Sequence, residues 1–330
     1  MAEQIHIDVS TSGLISGWAR NTDYPNLSVE VDLFCDGQQL ARVIANEYRA
    51  NQQGVGIGNG TYGFSYVPSS PIVTDPRRIS AVIVGFHYPK NAHQIGPLPP
   101  TALRARVAGT EDEHFFNGSG QLTVHEWMRA LSCFNVTIDQ FDTVVDFGCG
   151  CGRALRHLET KLTPHQRLIG MDVDQEAIDW LSANYPKISA IALKPLPPTP
   201  LDDASVDLVL SHSVFTHLPE HIQFLWLDEL ARILKPGRGL ITSIHGTKVI
   251  DEVVPTLGAG SKAFLEEINN RGFFYSPSKA PAEASLPEYY GSAFHTIKYI
   301  CERWTTKFNL IGWLPVFALR HQDVLVLQKK

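Results

Sequence analysis

The stretch VVDFGCGCGRALRHL, residues 144–158, carries an apolar run into a carboxylate and then sets glycine at every second position. Gly148, Gly150 and Gly152 allow a tight turn and a close approach of backbone to a ligand. The helix expected after the turn points its first amides at the same place, which favours a negative group. Spacing excludes two nucleotide loops. A GxxxxGK loop needs a lysine, and none stands here. A GxGxxG loop counted from Gly148 would put its third glycine at Arg153, and counted from Gly150 at Leu155.

Asp146 narrows the ligand further. A carboxylate at a strand end beside the turn repels a pyrophosphate but pairs with a cationic amine through charge-assisted hydrogen bonds. The helix start nearby suits a carboxylate. A ligand joining an ammonium, a carboxylate and a nucleoside meets both demands, and S-adenosyl-L-methionine is such a ligand. The next apolar run, Leu168 to Met171, also ends in an acid. Asp172 stands where a ribose would hang and has the oxygens to accept from both hydroxyls. Dinucleotide enzymes use an acid at the same place, so Asp172 alone does not choose between ligands. Asp174 is the expected N-cap of the helix through Ile178 and Leu181.

These residues need a frame that gathers strand ends. Strands are expected at residues 143–146, 168–172, 188–193, 206–211 and 239–244, with helices between them and strands again in the tail. That alternation predicts the α/β class: a parallel, doubly wound sheet with its ligand beyond the carboxyl ends of the strands, at the switch point. Residues 1 to about 95 follow another grammar. Val29, Val31 and Leu33 alternate with Glu30, Asp32 and Phe34, and Asp36-Gly37 reads as a hairpin turn. Gly54, Gly56, Gly58, Gly60 and Gly63 read as a turn-rich loop between strands, since no helix start follows them. This half is expected to be a small β-sandwich. Its Trp18, Tyr24, Tyr48, Tyr62 and Tyr66 belong either to its core or to a sugar-binding patch. The proline-rich break from Gln94 to Pro100 divides the chain into domains 1–96 and 97–330.

Composition bounds the function. The 330 residues are 44% apolar and carry a formal net charge of −6. The longest basic clusters are pairs such as Arg77-Arg78 and Lys329-Lys330, so no nucleic-acid or anionic-membrane partner is expected. No run reaches the roughly 20 apolar residues of a bilayer span. The start, MAEQIHIDVS, lacks the basic and apolar regions of a signal peptide. Five cysteines without CxxC spacing point to free thiols in a reducing cytoplasm rather than to disulfides or zinc.

Four segments together resemble the class I S-adenosylmethionine-dependent methyltransferases. VVDFGCGCGR, GMDVDQEAIDW, PLDDASVDLVLSHSVFTHLPE and LDELARILKPGRGLITSIHG occur in that family's order, over about residues 110–330. The resemblance implies a Rossmann-like seven-stranded sheet ending in an antiparallel hairpin, for which residues 308–314 and 323–328 fit. It implies cofactor contacts from Asp146, Gly148, Cys149, Gly150, Arg153, Asp172, Val173 and Ser211. It also implies closure over the cofactor by Phe115, Phe116, Ser119 and Gly120. The alternative for that stretch is a loop-to-helix joint capped by Thr123. Where members often place an acid for the adenine amine, this chain has Lys194 or Pro195. Backbone groups and apolar contact remain, with Leu196 as the candidate. In the first half, GWARN, FCDGQQLA and GIGNGTYGF resemble β-sandwich modules attached to bacterial surface-polysaccharide enzymes.

Methyl transfer is an in-line displacement, for which a protein mainly supplies approach geometry and water exclusion. A neutral hydroxyl acceptor also needs a base or a metal. His212 and His217 follow the fourth strand and His245 the fifth, all near the carboxyl edge. A histidine suits a base at neutral pH, and each of the three also has a packing or capping alternative. Some quinone-ring O-methyltransferases that resemble this family bind a metal here through two glutamates and a histidine. Ser213 and Thr216 stand in place of the acids, leaving only His217, so no metal is expected. Residues 250–300 form an acceptor-side insertion in which Tyr289, Tyr290 and His295 are lid or acceptor candidates. Phe294 to Trp304 reads as an amphipathic helix with Trp304 packed inward. The whole reads as a cytoplasmic bacterial methyltransferase acting on an oxygen of a small molecule or carbohydrate, with the sandwich as a candidate homodimer surface. The rival is a carbohydrate-binding scaffold that holds the cofactor without turnover.

Overall fold

In this computed structural model, strands of the first unit such as residues 15–21 alternate in burial, whereas the central strands of the second are buried almost throughout. The structure describes residues 3–9, 14–22, 24, 27–49, 60–68, 76–87, 95–278 and 286–330, without the side chains at 132 and 133. Contacts divide the chain into two units, Met1–Lys90 and Asn91–Lys330.

The first unit holds β1 (Glu3–Val9), β2 (Ile15–Asn21), β3 (Ser28–Cys35), β4 (Gln38–Ala45), β5 (Glu47–Tyr48), β6 (Thr61–Tyr66) and β7 (Ile79–His87). They form two antiparallel sheets, ordered β1-β2-β6-β5 and β4-β3-β7. Val29, Val31 and Leu33 of β3 are fully buried. Asp32 is buried as well, and Arg42 of the neighbouring strand pairs with it at 2.7 Å. The β3–β4 turn has positive φ at Asp36 and Gly37, 48° and 80°, as a two-residue type I′ hairpin requires. Gly54, Gly56 and Gly58 lie outside the described residues. Tyr24 and Tyr62 are buried, whereas Tyr48 is exposed.

The second unit begins with α1 (Thr101–Ala108) and α2 (Glu113–Ala130), then alternates β8 (Thr143–Phe147), α3 (Leu155–Glu159), β9 (Arg167–Asp172), α4 (Gln175–Asn184), β10 (Ile188–Ala192), β11 (Val206–Ser211), α5 (Glu220–Ile233) and β12 (Leu234–Ile244). There follow α6 (Thr247–Val253), α7 (Ser261–Arg271), β13 (Phe273–Pro277), β14 (Gly291–His295), α8 (Ile297–Arg303), β15 (Phe308–Ala318) and β16 (Gln322–Lys329). Seven of these strands make one sheet in the order β10-β9-β8-β11-β12-β16-β15. The first five are parallel, and β16 and β15 close the sheet antiparallel. Strand order reverses between β8 and β11, which opens a crevice at their carboxyl ends.

Each central strand buries both faces. Val145, Ile169 and Val209 pack on one side with Trp226 and Leu230 of α5. Val144, Leu168, Leu208 and Leu210 pack on the other with Trp127, Ile178 and Leu181. Continuous apolar runs are what a strand covered on both sides demands. The proline-rich segment is tied to this unit, because the Tyr185 hydroxyl lies 2.8 and 2.9 Å from the carbonyl oxygens of Ile95 and Pro97.

Three local expectations need correction. Thr123 does not cap a helix. Helix α2 starts ten residues earlier, where the Asp112 carboxylate accepts from the amides of His114 and Phe115 at 2.7 and 3.1 Å, and Thr123 is interior. The helix after the glycine turn is short, Leu155–Glu159, too brief to present a helix-end anion site. Phe294 and His295 belong to β14 and not to a helix, because Thr296 caps α8 by accepting from the Tyr299 amide at 3.2 Å. Trp304 is buried, as packing requires.

Among the described cysteines, Cys35, Cys149, Cys151 and Cys301 are free thiols. No helix of the described residues is long and apolar enough to cross a membrane.

The amino-terminal edge of the sheet is held by one buried acid. Asp207 accepts from the Thr143 amide at 3.0 Å and from Lys235 at 2.9 Å, and Arg238 lies at 3.3 Å. The change Asp207→Ala removes an acceptor from a buried amide and from two partly exposed cations. It is expected to lower unfolding stability by about 2 kcal/mol, read from urea denaturation, while leaving ligand binding at the opposite edge unchanged.

Candidate active site

The cleft at the switch point is built on a clamp. The amides of Gly148 and Cys149 donate to the Met171 carbonyl at 2.8 and 3.1 Å, which locks the turn after β8 onto β9. Asp172 then holds both sides. Its Oδ2 accepts from the Gly150 amide at 2.7 Å, and its Oδ1 accepts from the Asp174 amide at 2.9 Å. Gly148 has a φ of +84°, and a Cβ there would lie 2.1 Å from Val214 Cγ2. Only glycine fits the conformation and the space together. Asp174 caps α4 by accepting from Ala177 at 3.2 Å, and Arg106 of α1 donates to its other oxygen at 2.6 Å.

The cleft and its mouth hold about 1170 Å³ of empty space, open solvent included. Asp146, Gly148, Cys149, Gly150, Arg153, Asp172, Val173, His212 and His217 line its wall. Asp146 is almost fully buried. Burial pushes its carboxyl up to about 8, the Arg153 guanidinium pulls it down, and Asp172 pushes it up again. Burial also raises Asp172, against hydrogen bonds from the amides of Asp174 and Gly150. Each carboxylate oxygen of Asp172 keeps a second lone pair, so its two backbone bonds leave capacity for ligand hydroxyls. Arg153 donates from Nη1 to Ser119 Oγ at 3.1 Å and lies 3.3 Å from Thr123 Oγ1.

Other candidates stand elsewhere. Ser119 is fully buried behind Arg153 and acts on the cleft only by orienting that cation. Phe116 is a core residue, because its ring is fully buried and lies against the Arg156 guanidinium at 5.0 Å. Leu196 is 45% exposed and absent from the wall, where Leu193 stands instead, at the end of the β10 run. Ser211 is buried, with its Oγ unpartnered. His295 has no face to a substrate. It is enclosed by Phe273, Tyr299 and Trp304, and its Nε2 meets Gln223 Oε1 at 3.0 Å.

The wall also includes Ser213, Val214, Leu286, Pro287, Tyr289 and Tyr290, beside His212 and His217. Tyr290 lies flat on His217, with ring centroids 4.4 Å apart and planes inclined by 16°. His245 stands edge-on behind His217 at 6.2 Å, outside the wall. Burial lowers all three histidines, His212 well below its usual value with help from Arg153 and His245 to about 3. They are neutral at physiological pH. The Ser213 and Thr216 hydroxyls lie 3.1 Å apart, and Gln322 donates to Ser213 at 2.9 Å. Among the described residues no group of three histidines, cysteines or acids could hold a metal.

Sequence reasoning missed Arg106 and Val107, which enter the wall from α1, and Trp226, which enters from α5. Nothing local marks them. Arg106 reveals itself only through partners 68 and 70 residues away, Asp174 and Glu176.

Comparison with known proteins fits this geometry. Residues 145–242 match the family model described as a methyltransferase domain. A probable S-adenosylmethionine-dependent methyltransferase of Mycolicibacterium smegmatis is 34% identical over 100 residues, 30% of this chain and 37% of the relative. The malonyl-[acyl-carrier protein] O-methyltransferase of Hahella chejuensis is 30% identical over 111 residues, 33% of this chain and 39% of the relative. A solved S-adenosylmethionine-dependent methyltransferase from Methanosarcina mazei is 20% identical, covers 59% of this chain and 94% of its own, and superposes with a TM-score of 0.41. The chain spans just over a third of the length of these curated relatives.

The methyltransferase domain implies S-adenosylmethionine as cofactor, and the donor set fits it. Asp146 offers a carboxylate to an ammonium, Arg153 a guanidinium to a carboxylate, and Asp172 lone pairs to ribose hydroxyls. This pairing has a pH signature. Free Asp146 is mostly protonated below about 8 and must ionise to pair with an ammonium. An α-amino group loses its own proton above roughly 7.7–8.0. Affinity for S-adenosylmethionine is therefore expected to peak near pH 8, with proton release on binding at pH 7. Calorimetry in buffers of different ionisation heat checks this, and Asp146→Asn should erase the acid limb.

Proposed function

We propose that the protein transfers the methyl group of S-adenosylmethionine to an oxygen of a small-molecule or sugar acceptor. The observation that carries this reading is the cleft lined by two strand-end carboxylates, the Arg106 and Arg153 guanidinium groups and the stacked rings of His217 and Tyr290. When bound, the cofactor supplies an electrophilic methyl group on a sulfonium. The chain supplies the rest. Asp146 and Arg153 hold the ends of the amino-acid portion, Asp172 orients the ribose, and Val173 and Leu193 give apolar contact to the base. Tyr289 spans the opening by donating from its hydroxyl to the Pro195 carbonyl, which helps exclude water. The name of the Hahella chejuensis relative, an O-methyltransferase, supports oxygen as the acceptor atom.

The same reading treats residues 97–330 as the catalytic domain, with 250–300 as its acceptor-side insertion. Residues 1–96 are then a β-sandwich accessory domain, and the two antiparallel sheets of the first unit support that description. A cytoplasmic setting suits the free thiols.

Calorimetric titration tests the proposal. S-adenosylmethionine and its demethylated product should bind at micromolar strength, and NAD should not bind. Asp172→Ala should weaken both ligands at least tenfold, since it removes a charged acceptor from a buried site, worth roughly 1.5–3 kcal/mol. Binding of NAD instead would replace methyl transfer with a redox reading. Cofactor binding without turnover on any acceptor would favour the scaffold.

A further inference from the structure

The edge of β14 sets the proton of the His217 imidazole. Antiparallel pairing with β13 turns alternate peptide groups away from that partner, and Gly291, Ala293 and His295 point to the open edge. The His295 amide donates to the His245 carbonyl at 2.9 Å. The Gly291 carbonyl lies 2.8 Å from His217 Nδ1. His245 Nδ1 makes no hydrogen bond.

A carbonyl oxygen only accepts. His217 therefore carries its proton on Nδ1, and its Nε2 is left bare. The single N–H of the neutral His217 ring is committed to β14. His217 lines the cleft, and its Nε2 makes no hydrogen bond among the described residues. Tyr290 covers one face of the ring and fixes its plane.

We infer that His217 Nε2 is the proton acceptor for a neutral hydroxyl substrate, an alcohol, phenol or sugar hydroxyl rather than a carboxylate. The inference rests on the methyl-transfer reading above. As the acceptor oxygen forms its bond to the methyl carbon, its proton passes to His217 Nε2. The methyl–sulfur bond breaks, and its electron pair stays on sulfur, which becomes a neutral thioether. Imidazolium His217 then returns its proton to water as the product leaves. A carboxylate acceptor is already a nucleophile at neutral pH and has no proton to give, so a locked bare nitrogen would serve nothing for it. His212 shares the wall, but no carbonyl fixes its tautomer among the described contacts. His245 is a positioning residue that backs the His217 ring.

Two measurements on the full chain decide the matter. Long-range proton–nitrogen correlation spectra of histidine-labelled protein should show His217 as the Nδ1–H tautomer. A proton on His217 Nε2 would overturn the inference whatever the activity. For turnover, transfer from methyl-labelled S-adenosylmethionine is followed with methyl glucoside, methyl mannoside, catechol, malonate and trans-aconitate as probes. Transfer should go to hydroxyl probes, and His217→Asn should lower kcat at least roughly a hundredfold. The asparagine amide can still donate to Gly291, and the Kd for S-adenosylmethionine should stay within about twofold as proof of an intact fold. His217→Gln gives a second variant should asparagine disturb the turn. Methylation of the dicarboxylates, or full kcat in either variant, would sink the assignment. Failure of wild-type protein to bind S-adenosylmethionine would instead refute the methyl-transfer reading, which the spectra do not test.

Discussion

Asp172 is the residue on which the cleft depends. Its two oxygens fasten the glycine turn after β8 to the start of α4, so one carboxylate fixes both lips of the switch point. Burial of that carboxylate raises its pKa, and hydrogen bonds from the Asp174 and Gly150 amides offset part of the shift. The turn cannot relax to make room for side chains, because Val214 fills the space beside Gly148. Everything placed by that turn, including Asp146, Cys149 and Arg153, inherits its position from this pair of hydrogen bonds.

A second constraint comes from outside the alternating core. The two-stranded β13–β14 sheet lends the Gly291 carbonyl to His217, after β11, and the His295 amide to the His245 carbonyl, after β12. Tyr275 donates to the Tyr289 carbonyl at 2.5 Å, and Tyr290 leads directly into the strand that holds the histidines. Residues 286–290 thus join the cleft wall to β14.

Local patterns made the frame legible. The strand and helix alternation, the antiparallel tail and the turn with its two acids all follow from neighbours a few residues apart, and the sheet order agrees with them. Candidates failed where facing direction decides. Phe116 and Ser119 share a helix with residues near the cleft but point into packing. Leu196 comes three residues after Leu193, beyond the strand end, and its side chain turns to solvent. The histidines were indistinguishable by position along the chain, since all follow strand ends or flank the cleft. What separates them is a carbonyl 74 residues from His217 and a buried glutamine 72 residues from His295. Such pairings carry no signature in one sequence.

Asp146 and Asp172 are both buried, and each raises the cost of ionising the other, with Arg153 as a counterweight to Asp146. Near neutral pH the empty cleft avoids this repulsion by keeping Asp146 protonated, and an arriving ammonium favours its ionised form. At a hundredfold excess over Kd a bound ligand adds about 2.7 kcal/mol to stability, a large share of what holds a domain folded. Ligand at that excess therefore lowers the unfolded fraction about a hundredfold, which shields the chain from proteases that cut the open form.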